Sequence, residues 1–342
     1  MRIKQFMIGI ALVGCLTAAA QQRPYYTQYI MNNYIINPAV AGIENYWDVK
    51  ASHRLQWVGL QDAPVTTYLT IHGPLKKSDY DDRGSATSFR ASGQNPRGEA
   101  YWRDYTAPDP HHGVGFTMLN DKTGPLNRFA MYGTYSYHLS LSPTTSLAAG
   151  ASVGFTNMSL DASKLNFGGT TVDPAVAGSG VINRIKPDIS AGLWLYSRNY
   201  FVGVAAQQII PQQIAFSDNT VYLQNGKLLP HLFVSAGYRM QLSDDISLLP
   251  SMLLRYISPL PLGFDLNTKV QYQDLLWAGA SYRYQDGFAA MVGLNLNRNI
   301  NIGYSYDVQT SNLNTVSRGT HEILIGFLLG NKYGDWCPRN LW

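Results

Sequence analysis

From Pro230 to Leu329, apolar and polar residues alternate in a pattern that predicts one strand after another. The predicted strands are Leu229–Leu242, Ile246–Ile257, Leu262–Tyr272, Leu275–Tyr284, Phe288–Leu296, Ile300–Val308 and Gly319–Leu329. Nearly every break between them is short and carries turn residues, such as Ser243-Asp244-Asp245, Gln285-Asp286-Gly287 and Asn297-Arg298-Asn299. From Ile300 to Asp307, one face carries Ile300, Ile302, Tyr304 and Tyr306. The other carries Asn301, Gly303, Ser305 and Asp307. Successive strand residues point to opposite faces, so each strand has one apolar and one polar side. The same alternation predicts earlier strands at 47–57, 64–73, 112–120, 127–140, 145–157, 187–197 and 200–208. Seven and seven make fourteen, the even number that single-chain bacterial barrels usually require. Strands of about ten residues in consecutive hairpins, with Tyr and Trp near their ends, form the signature of a transmembrane β-barrel. The expected fold is all-β: an antiparallel transmembrane barrel of about fourteen strands, with a short N-terminal segment and a long polar loop.

Composition supports a lipid-facing exterior. Charged residues make up only 14% of the 342, and aromatics 12%, with 23 Tyr and 31 Gly. A typical soluble domain carries about 25% charge. No apolar run reaches the roughly 18 residues of a membrane helix, so a membrane location has to come from closed strands. The net charge of +4 is small, and no basic stripe with interleaved aromatics suggests nucleic acid.

Residues 1–20 read as an export signal. Arg2 and Lys4 precede the apolar Phe6–Leu16, and Ala18-Ala19-Ala20 supplies a cleavage site that would leave Gln21 as the mature start. Leu12-Val13-Gly14-Cys15 also resembles a lipobox, so lipidation at Cys15 is the rival. If Cys15 leaves with the signal, Cys337 remains alone and no internal disulfide forms. Residues 21–46 are a periplasmic segment, a plug in the lumen or a plain leader into the first strand. The barrel is expected over 47–329, and 330–342 is a C-terminal tail ending on Trp342.

If the chain enters the barrel from the periplasm, loops after even strands should be short and loops after odd strands long. Most agree. The exception is Pro74 to His111, which is long, polar and rich in Gly, Ser, Pro, Asp and Arg, yet falls in the periplasmic set. Either the strand count slips there or the barrel carries a periplasmic insertion.

Candidate chemistry is thin. His111-His112 sit beside Asp109, with Asp79, Asp81 and Asp82 upstream, but adjacent residues of an extended chain point opposite ways. His138 shares a strand face with Ser136 and Ser140, yet residues i and i+2 lie about 7 Å apart. No Gly-x-Ser-x-Gly elbow occurs. No catalytic, cofactor or metal residue is therefore assigned, and the chain is read as non-enzymatic. Arg239, Arg255, Lys269, Arg283, Asp265, Asp307 and Glu322 are spread over neighbouring strands. On lipid each would cost a few kcal/mol near the midplane, so all are expected to face the lumen. They would form a structural network, a docking surface or the lining of a solute channel.

Several blocks, in this order and spacing, resemble the PorP/SprF family of type IX secretion and gliding-motility proteins, outer-membrane proteins of the Bacteroidota. Tyr26-Thr27-Gln28-Tyr29 and Asn37-Pro38-Ala39-Val40-Ala41-Gly42 open the resemblance. Arg54-Leu55-Gln56-Trp57-Val58-Gly59, Asp265-Leu266-Asn267 and Tyr282-Arg283 continue it. Gly303-Tyr304-Ser305-Tyr306-Asp307, Gly319-Thr320-His321-Glu322-Ile323 and Cys337-Pro338 close it. The stretch Ser78–His111 departs from the family in length and polarity. The resemblance implies an outer-membrane barrel without catalysis that works with the type IX export machinery. It would anchor the secretion complex, or support export and surface attachment of an adhesin-like protein. The implied partners are the secretion ring or a periplasmic peptidoglycan-binding protein, a large secreted surface protein, and outer-membrane lipid. The positions it marks for folding or partner binding are Gln28, Tyr29, Asn37, Pro38, Gly42, Arg54, Trp57, Asp265, Asn267, Arg283, Asp307, His321 and Glu322. A porin-like solute channel is the alternative.

Overall fold

The computed structural model describes residues 26–75, 107–164, 181–213 and 227–331, apart from 259, 274 and 298. The first half of the wall is β1 (Trp47–Leu55), β2 (Val65–Leu75), β3 (His111–Thr123), β4 (Leu126–Ser142), β5 (Thr145–Asp161), β6 (Val181–Ser197) and β7 (Tyr200–Gln207). The second half is β8 (His231–Tyr238, resuming at Met240–Gln241), β9 (Ile246–Tyr256), β10 (Gly263–Tyr272), β11 (Leu276–Arg283), β12 (Gly287–Asn297), β13 (Ile300–Gln309) and β14 (Thr320–Leu329). Each strand pairs antiparallel with its neighbours in sequence, and β14 pairs with β1 from Trp47↔Leu329 to Leu55↔His321. The ring therefore closes with fourteen strands among the described residues. Closure leaves no sheet edge, which a wall in lipid demands. A two-residue pairing of Gln212–Gln213 with Lys227–Leu228 lies apart from the ring.

All fourteen predicted strands occur. Strand β8 is interrupted at Arg239, whose backbone N–H turns to the Asn199 carbonyl at 2.6 Å. The register with β9 continues across the break, from Gly237↔Ser251 to Met240↔Leu248. Strands β5 and β6 run further than the alternation suggests, pairing as far as Asp161↔Val181. Backbone pairing does not need the apolar face that marks a strand in sequence, so the ladder continues where the pattern fades.

The apolar faces point outward as the alternation predicts. Leu276, Tyr282, Tyr304 and Ile323 are exposed, while Trp277, Ser281, Ser305 and Glu322 are buried inside. Exposed aromatics gather at both rims: Tyr256, Tyr282, Tyr284 and Phe288 at one, Trp47, Tyr135, Tyr137 and Tyr272 at the other. These are the girdles of the two membrane interfaces.

The connection between β2 and β3 is shorter than the sequence reading. Pro74 and Leu75 belong to β2, pairing with Gly113 and His112, and His111 opens β3. The strand count does not slip; the long connection is 76–110, on the rim that otherwise carries 143–144, 198–199, 242–245, 273–275 and 298–299. The opposite rim carries 56–64, 162–180, 208–230 and 310–319, together with tight turns at 124–125 and 284–286.

Residues 26–46 fold inside the barrel as three 3-10 turns, Thr27–Met31, Asn33–Ile35 and Pro38–Val40. They bury Tyr29, Ile30, Met31, Ile35 and Ile36 against inward-facing Tyr68, Leu119, Tyr132, Leu253, Trp277 and Leu324. The barrel thus holds a hydrophobic core in its lumen, and this segment is the plug.

Candidate functional site

The plug begins at the rim with the long loops. There the Glu322 carboxylate accepts the backbone N–H of Thr27 at 2.8 Å and of Gln28 at 3.3 Å. These are the unsatisfied donors of the first 3-10 turn, and a carboxylate is the acceptor a helical start favours. Glu322 also accepts from Ser52 Oγ at 3.0 Å and Arg54 Nη1 at 3.1 Å. The Thr27 hydroxyl donates to Asp307 at 2.6 Å and accepts from Arg54 at 2.7 Å and Arg283 at 3.3 Å. Arg54 reaches Asp307 at 2.7 Å, and Asp265 takes Arg255 at 2.7 Å and Arg283 at 3.5 Å. Six charged side chains from six strands thus form one buried network around a single plug threonine. Paired charges of this kind can sit in a buried site, whereas isolated ones cannot.

The chain then descends. The Asn267 amide donates to the Tyr29 hydroxyl, Asn32 Nδ2 donates to Thr70 at 2.9 Å, and Tyr34 donates to Thr134 at 2.7 Å. The Gln28 amide, with its oxygen toward the wall, accepts from the N–H groups of Tyr304 and Ser305 at 3.2 and 3.1 Å. Asn37 caps the third turn, accepting from Ala39 N at 2.9 Å, with Pro38 in the first position, where its missing donor costs nothing. The same side chain donates to the carbonyls of Leu193 at 3.0 Å and Val204 at 3.2 Å.

At the opposite rim, three histidines from β2, β3 and β4 close around Ala41-Gly42. His138 Nε2 lies 2.7 Å from the Ala41 carbonyl and His111 Nε2 lies 3.1 Å from the Gly42 carbonyl. Their rings stack at 4.5 Å. His72 Nδ1 faces the Gly42 N–H at 3.4 Å. Gly42 has φ +75°, and a Cβ there would meet the Gly113 backbone at 2.5 Å, so only glycine fits the turn.

The wall is carved to receive this path. A Cβ on Gly113 would meet the Ala41 carbonyl at 2.1 Å, on Gly115 the Tyr34 hydroxyl at 2.4 Å, on Gly150 the Ala39 backbone at 2.6 Å, and on Gly192 the Asn37 side chain at 2.1 Å. Each of these glycines stands on the lumen face of its strand. Among the described residues, two gaps beside the plug are small: about 30 Å³ next to Tyr34 and Tyr132, and about 10 Å³ next to Arg54 and Arg283. A single water needs roughly 10–15 Å³.

Of the thirteen positions singled out in the sequence, eleven meet at the plug and the wall it touches. Gln28, Tyr29, Asn37, Pro38 and Gly42 are on the plug; Arg54, Asp265, Asn267, Arg283, Asp307 and Glu322 are on the wall. Trp57 and His321 stand elsewhere. Trp57 lies in the rim loop after β1, its backbone N–H donating to Thr320 Oγ1 at 3.1 Å. His321 is on the outer face, its Nδ1 2.7 Å from the Tyr304 hydroxyl. The other inward charges take separate places: Arg239 reaches Ser247 at 3.3 Å, and Lys269 lies over Trp277 at 5.4 Å. Ser136 and His138 do come within 3.5 Å, but both are spent on the Ala41 carbonyl. His112 faces outward onto Tyr135 at 2.6 Å, away from His111. Among the described residues no group of three or more His, Cys, Asp or Glu could hold a metal ion. Asp79, Asp81, Asp82, Cys15, Cys337 and Trp342 lie outside the described residues. Sequence reasoning missed Thr27, His72 and the four wall glycines. The glycines had a signal, since they interrupt the polar, lumen-facing side of otherwise regular strands.

No curated relative matches the chain. Among solved structures it is similar to the Acinetobacter baumannii outer membrane protein Omp33, at 9% identity and TM-score 0.45, covering 84% of this chain and 100% of that one. It is also similar to the Ralstonia pickettii toluene transporter TbuX, at 11% identity and TM-score 0.47, covering 88% and 92%. A Pseudomonas aeruginosa FadL homologue matches at 11% identity and TM-score 0.43, covering 90% and 94%. The family described as type IX secretion system membrane protein PorP/SprF matches residues 18–327, which takes in the plug and nearly all of the barrel wall. The chain is an outer-membrane β-barrel and belongs to the PorP/SprF family of type IX secretion.

Proposed function

We propose that this barrel is a scaffold of the type IX secretion and gliding machinery. It works by protein–protein binding, either anchoring the secretion complex or supporting export and surface attachment of an adhesin-like protein. The observation that carries this reading is the filled lumen. The plug lies in a groove of wall glycines, with charged side chains pinning one end and histidines the other. A barrel closed in this way presents its rims and outer surface to partners. It leaves little room for the rival porin-like channel, which needs a continuous aqueous path. The proposed partners are the secretion ring or a periplasmic peptidoglycan-binding protein on one side, and a large secreted surface protein on the other. An export signal over residues 1–20, cleaved after Ala20, delivers the chain.

The test is cross-linking and pull-down of a tagged copy from intact outer membranes, with the bound proteins identified by mass. Recovery of ring subunits with a peptidoglycan-binding protein supports the anchor. Recovery of one large surface protein supports the export or attachment role. Recovery of neither, with the barrel present and folded, overturns the scaffold and returns the channel.

A further inference from the structure

The lipid-facing side of the wall is not uniform. From β10 to β13 one row of paired neighbours reads Leu266, Tyr282, Phe288 and Val308, all large and exposed. From β4 to β8 the row reads Tyr135, Ala151, Ala191, Ala206 and Leu232. Ala149, paired with Tyr137, adds a fourth alanine. The result is an apolar groove of about 600 Å³ on the outer surface, with Tyr135 and Tyr137 on one side and Leu232 on the other. Neighbouring strands lie about 4.8 Å apart, so the alanine floor over β5, β6 and β7 is about 10 Å wide. On the lumen side the plug braces the same strands, with Asn37 donating to the Leu193 and Val204 carbonyls. The groove is therefore a fixed feature of the fold.

One end of the groove is polar. His112, near the short-turn end of β3, is exposed on the outer face. Its Nδ1 lies 2.6 Å from the Tyr135 hydroxyl, and its ring lies 5.1 Å from the ring of Tyr137. With Tyr135 donating to Nδ1, Nε2 carries the proton and can donate outward.

We infer that this groove seats an acyl chain of a phospholipid whose phosphate accepts a hydrogen bond from His112. The groove is continuous with the lipid-facing wall and begins at the girdle tyrosines, so hydrocarbon borders it. A void there would lose the dispersion contacts of its lining, and water finds no partners among the alanine, leucine and valine side chains. A chain lying in the groove touches its floor and its sides. A chain against the Leu266–Val308 row touches only projecting tips. His112 and the two tyrosines stand at the level of the membrane interface, where a headgroup lies. The assignment rests on the outer-membrane location and not on the scaffold reading.

The full-length barrel, stripped of lipid in detergent, is titrated with dioleoylphosphatidylethanolamine and read by native mass spectrometry. Ala151→Phe fills the floor. Ala280→Phe places the same ring on the exposed outer face of β11 and is the control. Ala151→Phe should weaken binding at least tenfold, and Ala280→Phe less than twofold. His112→Ala should weaken the phospholipid at least fivefold and leave dioleoylglycerol, which has the chains but no phosphate, unchanged. Equal binding by the two phenylalanine variants, both still heat-modifiable on a gel, overturns the groove. A His112→Ala effect that is absent, or shared by dioleoylglycerol, overturns the phosphate contact. A dimer lost in Ala151→Phe while lipid binding is kept would make a second copy the occupant and overturn the lipid. If Ala151→Phe does not fold, the wild type decides. Phosphatidylethanolamine with a diazirine on its acyl chain, in reconstituted vesicles, should cross-link to peptides holding Ala149–Ala151 and Ala191–Leu193 at least fivefold more than to Leu276–Tyr282. Uniform labelling refutes the site.

Discussion

Replacing Glu322 with alanine should loosen the start of the plug without opening the barrel wall. The side chain is fully buried and accepts four hydrogen bonds, from Thr27 N, Gln28 N, Ser52 Oγ and Arg54 Nη1. Alanine strands two buried backbone donors, each costing about 1–3 kcal/mol when left unpaired. It also removes one of the carboxylates from Arg54. Breaking a buried ion pair costs about 3–5 kcal/mol, and the loss falls at or below the lower end here because Arg54 keeps Asp307 at 2.7 Å. The terms overlap, so about 4 kcal/mol is the working figure. At 1.4 kcal/mol per factor of ten, the opening equilibrium of the first turn shifts about a thousandfold. Hydrogen exchange followed by mass spectrometry on the folded, detergent-held protein reads that shift directly, because exchange tracks local opening. Peptides covering Thr27–Met31 should exchange about a thousandfold faster. Peptides from β11 and β12 should not change, and the barrel should still migrate faster on a gel unheated than boiled. Glu322→Gln keeps an acceptor for Thr27 and should fall between. A change of less than tenfold in Thr27–Met31, with the barrel folded, would refute the account of how the plug is held.

Gly150→Val places a Cβ within 2.6 Å of the Ala39 backbone, so it should abolish the heat-modifiable form or lower the unfolding temperature by several degrees. Gly133→Ala on the outer face, whose nearest contact is at 4.0 Å, should do neither. Asn37→Ala removes three hydrogen bonds and should cost about 2–4 kcal/mol at roughly 1 kcal/mol each, read as a lower midpoint in denaturant. His138→Ala should speed exchange around Ala41, since it loses the contacts to Ala41 and Tyr196, while His321→Ala on the outer face leaves that region unchanged. Deleting residues 27–42 should turn an electrically silent barrel into one with stable open steps in a planar bilayer; a silent deletion with a folded barrel would count against the plug as the seal.

The wall was legible in the sequence because lipid writes it there. Leu276, Ala278, Ala280, Tyr282 and Tyr284 must alternate with Trp277, Gly279, Ser281 and Arg283, since one side meets hydrocarbon and the other does not. That rule holds for every strand, and all fourteen were found from it. It also separates His321 from Glu322, adjacent in sequence and on opposite faces of β14, although marking both as family positions hid the difference. The plug obeys no such rule. Its 3-10 turns have no period long enough to read, and its partners lie far away: Thr27 is held by residues 280 and 295 positions on. Asn37-Pro38 is the exception, because a cap and the proline after it are local chemistry.

The wall glycines argue that plug and barrel are one folding unit. A retractable gate needs a surface that is satisfied with the gate in or out. Gly113, Gly115, Gly150 and Gly192 instead leave a track without side chains of its own, into which Tyr34, Asn37, Ala39 and Ala41 pack. Emptied, that track would leave Glu322, Asp307 and Arg54 without Thr27, and His111 and His138 without the carbonyls they face. Threading the segment in after closure would drag Tyr29 and Tyr34 past inward-facing Tyr68, Leu119 and Trp277 in a close-packed interior. The simpler order has the strands close around the plug. Inserting a long flexible linker between Tyr46 and Trp47 separates the two orders. If the plug enters last, the linker lengthens the loop to be closed and leaves barrel formation unaffected. If the strands close around it, the linker lowers the plug's local concentration and slows the appearance of the heat-modifiable form. Equal rates with and without the linker would refute co-folding.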